Sequence, residues 1–255
     1  MSRPAISAVV LAYNEERHLP ACLATLDWAD ELLVVDSGST DRTPEIARAA
    51  GARVEHRPFT HFGDQRQAAL DMASGDWVFF VDADERVPAA LAEEVRGAVA
   101  RTGPEVGWWV PRRNFFWGHE VRYAGWAPDY QLRLLRKGHA RYDRSALVHE
   151  VAKLDGPTGR LRTPLIHLNY DSWAEFWAKQ RAYAPYEARR RRLQGQRCRP
   201  WTFLLQPGRE FYRRFVVWRG YRDGRLGLGL CLLMACYEVL VCRHLWALQR
   251  EREVE

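Results

Sequence analysis

Trp77-Val78-Phe79-Phe80-Val81-Asp82-Ala83-Asp84-Glu85 is the stretch that decides the fold. Its apolar residues run on without the alternation of a half-solvated strand, so it predicts a strand covered on both faces. Two carboxylates flanking a small residue then close the strand. Working outward, Ile6 to Ala12 is a second such run, followed by Asn14-Glu15-Glu16, and Leu32 to Val35 is a third, ending at Asp36. Between them Leu19, Cys22 or Leu23, and Leu26 fall at helical spacing. Thr43-Pro44-Glu45 predicts a helix start with Thr43 as N-cap. Val54 opens another extended segment, and Asp64 to Ala73 reads as a helix. The order β-α-β-α-β-α-β predicts a parallel sheet covered on both sides, with ligands beyond the carboxyl ends of its strands.

From Gly107 to about Tyr170 the chain turns to short, aromatic-rich extended segments, which predict a mixed-sheet extension rather than further βα units. Beyond Ser172 it reads helical, through Arg189 to Arg192, Arg197 and Arg199, into an apolar helix from about Leu226 to Leu248.

With 47% hydrophobic and 27% charged residues among 255, the chain has the composition of a folded protein. Its net charge of +6 comes almost wholly from arginine, much of it after residue 180. Five cysteines without a CxxC pair argue against a disulfide framework or a zinc cluster and favour a reducing compartment. The N-terminal apolar run is strand-length and lacks a basic leader, so no signal peptide is expected.

Asp82 and Asp84 at the end of a buried strand put two carboxylates in one mouth of the sheet, where they need a counter-charge. A divalent ion such as Mg²⁺ or Mn²⁺ takes oxygen ligands and shares them between carboxylates and substrate phosphates. A solvated turn with a helix N-cap is the plainer alternative. Asp36 to Asp41 forms a polar turn containing Gly38, whose N–H groups can meet an anion or a base edge. The competing account, a loop with an N-cap, explains Ser39 to Asp41 but not an aspartate at the strand's end. Arg66, near the head of a helix, is a further phosphate candidate.

Ala12-Tyr13-Asn14-Glu15-Glu16, Val35-Asp36-Ser37-Gly38-Ser39-Thr40-Asp41 and Phe80-Val81-Asp82-Ala83-Asp84-Glu85, in this order and spacing, resemble the donor-binding signature of glycosyltransferase family 2. The resemblance implies a GT-A (Rossmann-like) fold, an inverting mechanism, and a nucleotide-diphospho-sugar donor held with Mn²⁺ or Mg²⁺. By position, Tyr13 and Glu15 would hold the nucleotide, Asp36 the base edge, Asp82 the ribose or a metal-bound water, and Asp84 the metal. Ala12, Asn14, Gly38, Asp41 and Ala83 complete the expected donor site, with Asp82 also a candidate metal ligand.

Asp129-Tyr130-Gln131-Leu132-Arg133-Leu134, Val148-His149-Glu150 and Asp223-Gly224 look more loosely like bacterial lipopolysaccharide-core β-1,4-glucosyltransferases. Inverting transfer needs a carboxylate to take the acceptor hydroxyl's proton while cations stabilise the diphosphate leaving group. Asp129 and Glu150 are the candidates. Asp129 is narrowly preferred, because Trp126-Ala127-Pro128 suggests a partly apolar pocket that would raise a carboxyl pKa. His149 is a candidate third metal ligand or a structural histidine. Arg133, alternating with Leu132 and Leu134, could steady the diphosphate or lie on a solvent face. On this reading residues 1–105 form the donor half, 106–175 the acceptor and catalytic half of the same domain, and 176–255 a basic, amphipathic helical region.

That region interleaves Arg189 to Arg192, Arg197 and Arg199 with Trp201, Phe203, Phe211, Tyr212, Phe215 and Trp218, the composition of a segment lying on anionic lipid. A solvated basic face is the alternative; the acidic donor site argues against nucleic acid. Leu226 to Val241 falls short of the roughly 20 residues that span a bilayer, and Arg213, Arg214, Arg219, Arg222 and Arg225 before it would face headgroups. The expectation is a peripheral or monotopic enzyme on the cytoplasmic face of the inner membrane. It would move a hexose, with glucose the first candidate, to a lipid-linked saccharide such as lipopolysaccharide core. Another donor (UDP-N-acetylglucosamine or UDP-galactose) serving capsule, or a non-catalytic sugar-nucleotide binder, are the alternatives.

Overall fold

The computed structural model describes residues 3–101, 103–143 and 151–251. Its strands are β1 (Ile6–Ala12), β2 (Glu31–Asp36), β3 (Arg53–His56), β4 (Trp77–Asp82), β5 (Glu85–Arg86), β6 (Gly107–Phe116), β7 (His119–Val121), β8 (Asp129–Arg136), β9 (Ala140–Arg141), β10 (Lys153–Leu154), β11 (Thr158–Arg160) and β12 (Leu165–Tyr170). Its α-helices are α1 (Leu19–Leu23), α2 (Thr43–Ala49), α3 (Phe62–Met72), α4 (Ala89–Ala100), α5 (Trp173–Leu193), α6 (Thr202–Tyr212) and α7 (Gly224–Glu251). The chain forms two compact units, one of Met1–Arg113 with Asp129–His167, the other of Asn114–Pro128 with Leu168–Glu255.

In the first unit β1 lies between β2 and β4, parallel to both, and β3 continues the parallel part beyond β2. Ala12 is level with Asp36, and Leu11 with Asp82, so the carboxyl ends of three strands finish on one edge. Side chains alternate between two cores. Ala8, Val10, Val34, Phe79 and Val81 pack on one face, while Val9, Leu33, Val35, Val78 and Phe80 pack on the other. Both faces are dry, which is why these strands read as unbroken apolar runs. Truncating a fully buried ring such as Phe79 would cost about 3 to 5 kcal/mol.

Beyond β4 the sheet becomes mixed, because β8 runs antiparallel to β4 and β6 antiparallel to β8. A register irregularity between Trp108 and Trp109 interrupts the β6–β8 ladder before Arg112 comes opposite Asp129. β12 pairs antiparallel with β5 and sets His167 opposite Glu85.

One local expectation is corrected. α2 starts at Thr43 with Arg42 as N-cap and no side-chain cap bond. The Thr43 hydroxyl instead accepts the Glu15 N–H at 2.7 Å, and Asp41 Oδ1 accepts the Thr43 N–H at 3.0 Å. The loop after β1, not the helix, claims that hydroxyl.

In the second unit α7 packs along α5 and α6 around Phe176, Leu230, Val241 and Leu245. The Ser172 hydroxyl caps α5 by accepting the Glu175 N–H at 3.1 Å. Asp223, just before α7, accepts the N–H groups of Arg122 at 3.2 Å and Tyr123 at 2.9 Å. α7 runs on past the polar Arg243-His244 step, as the helix expected to about Leu248 does, so the whole helix, unlike the Leu226 to Val241 stretch, has spanning length. With a mean hydropathy of 1.8 in its apolar window it is long and apolar enough to cross a membrane by length and composition, and 39% of that window is buried within the protein. Glu238, which interrupts the apolar run, is buried and paired by Arg191 through bonds of 2.7 and 2.8 Å. Arg190 and Arg191 also bind Glu187, and Arg213 and Arg214 bind Glu210. Arginines expected to face headgroups are in part turned to carboxylates of their own chain.

Candidate active site

The loops after β1 and β2 are bound together by side chain to backbone bonds. Asn14, at φ 55°, accepts the Thr40 N–H through Oδ1 at 2.8 Å and donates its own N–H to Ser39 Oγ at 2.9 Å. Asparagine tolerates this left-handed conformation better than most residues. Asp41 accepts the Glu16 N–H at 3.1 Å in addition to that of Thr43. Ala12 closes β1 and accepts the Ser37 N–H at 2.9 Å, while Tyr13 is exposed beside it.

Asp36 is buried at the end of β2 and accepts the N–H groups of Gly38 at 3.1 Å and Ser39 at 3.2 Å, with His56 Nδ1 at 3.2 Å. Burial raises its pKa, but the bonds from Ser39, His56 and Gly38 outweigh this and hold it below the ordinary carboxylate value. The N–H groups of Gly38, Ser39 and Thr40, expected to be open to an anion, are therefore already engaged by Asp36 and Asn14. Gly38, at φ 96°, makes this turn possible.

The turn after β4 is the electrostatic centre. Glu85 is fully buried; its Oε2 accepts the Asp82 N–H at 2.9 Å, and its Oε1 accepts Arg133 Nη2 at 2.6 Å and Arg112 Nη1 at 3.2 Å. Arg133 also grips Asp82, with Nη1 to Oδ1 at 3.2 Å and Nη2 on Oδ2. Arg66 reaches Asp82 Oδ1 from α3 at 3.3 Å, its guanidinium over the Phe80 ring. Burial alone would raise the Asp82 pKa, yet Arg133 and Arg66 hold it far below the ordinary range. Arg133 is 4% exposed, which excludes the solvent-face reading of its alternation. Ala83 is buried, and its carbonyl accepts Arg86 Nη1 at 2.9 Å.

Asp84 lies outside this arginine cage, its Oδ2 at 3.3 Å from Nε2 of the buried His167. Asp82 already faces two guanidiniums, so a cation is better received at Asp84. Oxygen ligands suit Mg²⁺ and Mn²⁺, which take one or two protein carboxylates and complete their shell with substrate phosphates. Asp84, with His167 orienting its carboxylate, fits that role. Among the described residues no group of three His, Cys, Asp or Glu side chains forms a metal cluster.

Asp129 opens β8. Its Oδ2 accepts Arg112 Nε at 2.8 Å and Nη2 at 2.7 Å, and its Oδ1 accepts Gln131 Nε2 at 2.7 Å. A partly apolar pocket was the expected surrounding; the carboxylate is instead held by a guanidinium and an amide. His149 and Glu150 lie outside the described residues.

Asp82, Arg66 and Arg133 are thus brought together, with Asp129 joined to them through Arg112 and Glu85. Glu85, Arg112 and His167 had no role in the sequence reading. Arg112 could have been found by extending the alternation of β6 against that of β8, had the irregularity at Trp108 been known; nothing local signals His167.

A model of the glycosyl transferase family 2 matches residues 7–153. The lipopolysaccharide core biosynthesis glycosyltransferase LpsC of Rhizobium meliloti (strain 1021) is 32% identical over 247 residues, covering 94% of this chain and 92% of LpsC. A TPR repeat-containing protein of Synechococcus elongatus is 41% identical over 93 residues, 36% of this chain and 23% of its own length. Among solved structures, glucosyl-3-phosphoglycerate synthase from Mycobacterium tuberculosis, in complex with Mn²⁺, UDP and glucosyl-3-phosphoglycerate, is 32% identical with a TM-score of 0.37 over 44% of each chain. With a family model spanning the whole parallel sheet and a relative aligned over nearly the full length, the fold is GT-A and the chain belongs to glycosyl transferase family 2.

Proposed function

We propose that this glycosyltransferase is an inverting, metal-dependent hexosyltransferase using a nucleotide-diphospho-sugar, glucose being the first candidate sugar. Its acceptor is a lipid-linked envelope saccharide such as lipopolysaccharide core. The observation that carries the chemistry is the charge ladder at the sheet's edge, in which Arg66, Arg133 and Arg112 interleave with Asp82, Glu85 and Asp129.

Tyr13, Asn14, Glu15 and Asp36 hold the nucleotide at the ends of β1 and β2, with Ala12, Gly38 and Asp41 shaping the loops around it. Asp82 and Ala83 receive the ribose side of the donor, and Asp84 is the metal ligand, with His149 a further candidate. A divalent cation, when bound there, supplies Lewis-acid stabilisation of the departing diphosphate. Arg66 and Arg133 add fixed positive charge in a partly dry site, where it counts for more than in water. Asp129, held in place by Arg112 and Gln131, takes the proton of the attacking acceptor hydroxyl at a carboxylate oxygen. Glu150 is the alternative base.

The proposal places the enzyme on the cytoplasmic face of the inner membrane, and two features support action at a membrane surface. Leu204, 81% exposed, and Leu205, 65% exposed, line an outer face of α6 together with Trp201 and Tyr212, amid a run of arginines. LpsC, similar over nearly all of this chain, is by name a lipopolysaccharide core enzyme.

The test is a panel of nucleotide sugars with Mn²⁺, with and without lipopolysaccharide-core acceptor lipid. Metal-dependent transfer from UDP-glucose is the expected result. Turnover of UDP-N-acetylglucosamine or UDP-galactose instead would replace the sugar. Binding without turnover in the presence of acceptor would make the protein a non-catalytic binder and defeat the proposal.

A further inference from the structure

We propose that Arg112 and Glu85 are positioning residues that lock the carboxylate of Asp129 to the Asp82–Asp84 turn, so that the proton acceptor and the donor-site carboxylates are held as one rigid body. This rests on the reading of Asp129 as the base. Three observations on separate strands carry it. In the β6–β8 register Arg112 stands directly opposite Asp129, and its guanidinium places two N–H groups on one carboxylate oxygen. The remaining Nη1 turns to Glu85 Oε1 at 3.2 Å. The other oxygen of Glu85 accepts the backbone N–H of Asp82, so the side chain that receives Arg112 also sets the start of the turn carrying Asp82 and Asp84.

The chemistry suits rigid transmission better than mere neutralisation. A fully buried carboxylate is costly to desolvate unless every lone pair is used. A turn needing only a cap would be served by an exposed side chain. Glu85 is instead the shared acceptor of Arg133, Arg112 and a main-chain amide. Arginine is the one side chain whose planar fork serves both carboxylates at once; lysine presents a point charge and can satisfy only part of this geometry.

Steady-state kinetics of Arg112→Lys and Arg112→Ala, with the nucleotide sugar the parent turns over, tests the inference. Donor KM is expected to stay within about threefold, while kcat falls on the order of 100-fold, the cost of a misplacement near 1 Å. Guanidinium chloride added to Arg112→Ala is expected to restore part of kcat. Should the alanine protein fail to fold, Arg112→Lys, which keeps the charge and most of the volume, carries the comparison, with its melting curve checked against the parent. A kcat within threefold of the parent for Arg112→Lys, a donor KM that rises as far as kcat falls, or no guanidinium rescue of a folded Arg112→Ala overturns the proposal. Retained transfer in Asp129→Asn overturns the base reading beneath it. Lost transfer in Asp129→Asn with unchanged kinetics in Arg112→Lys overturns the proposal alone.

Discussion

Arg133 and Glu85, 4% and 0% exposed, are joined by a 2.6 Å bond inside the sheet edge that carries the donor turn. Neither could be there alone. Burying one charge without its partner leaves a desolvated ion, and breaking such a pair costs about 3 to 5 kcal/mol. Arg133→Met is therefore expected to lower unfolding free energy by about that amount in urea titration, because Asp82 and Glu85 lose their shared cation. Glu85→Gln alone should cost less, since the amide oxygen still accepts a bond. The double variant should fall short of the sum, the mark of two residues in one network. An additive double variant would remove the pair from the account of stability.

Asp84 and His167 define the expected metal response. Asp84→Asn removes the carboxylate charge that stands outside the arginine cage, and Mn²⁺ bound in the presence of UDP, read by paramagnetic resonance, is expected to weaken by well over tenfold. His167→Gln removes a neighbour that orients Asp84 at 3.3 Å and should weaken Mn²⁺ about 10- to 100-fold, as loss of an orienting partner does. Equal Mn²⁺ affinity in parent and Asp84→Asn would move the metal elsewhere.

How much of this was legible in the chain depends on how local each signal is. Val78 to Val81 and Ile6 to Ala12 announce strands buried on two faces because the pattern lies within the strand itself, and both cores use it. Asp36 and Asp82 could be set on one edge because parallel strands joined by crossovers end on the same side. The partners of those carboxylates were out of reach. Arg112 meets Asp129 only through an antiparallel pairing interrupted at Trp108 and Trp109, and His167 reaches Asp84 from a strand late in the chain. The open amides expected at Gly38 to Thr40 failed for a related reason: Asp36 and Asn14, correctly read as polar, spend their oxygens on those amides.

Glu31, at the head of β2, sets an acid limit on the first unit. Burial would raise its pKa, but hydrogen bonds from Ser7, Ser74 and Arg53 lower it from the ordinary 4.5 to about 2. A group whose folded pKa is depressed contributes stability that is full above its unfolded value and is lost as pH falls through the folded one. The window is thus from about pH 4.5 down to about 2. Because the side chain keeps contact with solvent, screening reduces the contribution to the order of 1 kcal/mol. Glu31→Gln is expected to be less stable than the parent by that amount at pH 7, with the gap closing across the window in urea titrations at successive pH values. A gap that persists unchanged at the acid end would assign the effect to shape, not charge.

The outer face of α6 gives the last expectation. Leu204 and Leu205 point away from the protein with Trp201 and Tyr212, and the apolar body of α7 is in part occupied by packing on α5 and α6. α6 is therefore the element expected to meet lipid, its leucines entering the headgroup boundary and nearby arginines drawing anionic lipid, each worth about 1 kcal/mol near the surface. Arg190, Arg191, Arg213 and Arg214 already hold carboxylates of their own chain, so Arg197, Arg199 and Arg209 are the charges to remove. In sedimentation with phosphatidylcholine vesicles containing phosphatidylglycerol, Leu204→Glu with Leu205→Glu is expected to lower binding at least about tenfold. Neutralising the three arginines should weaken it and flatten its salt dependence. Both variants leave the first unit untouched and should keep donor binding. Vesicle binding that survives the paired glutamates would pass the role to α7.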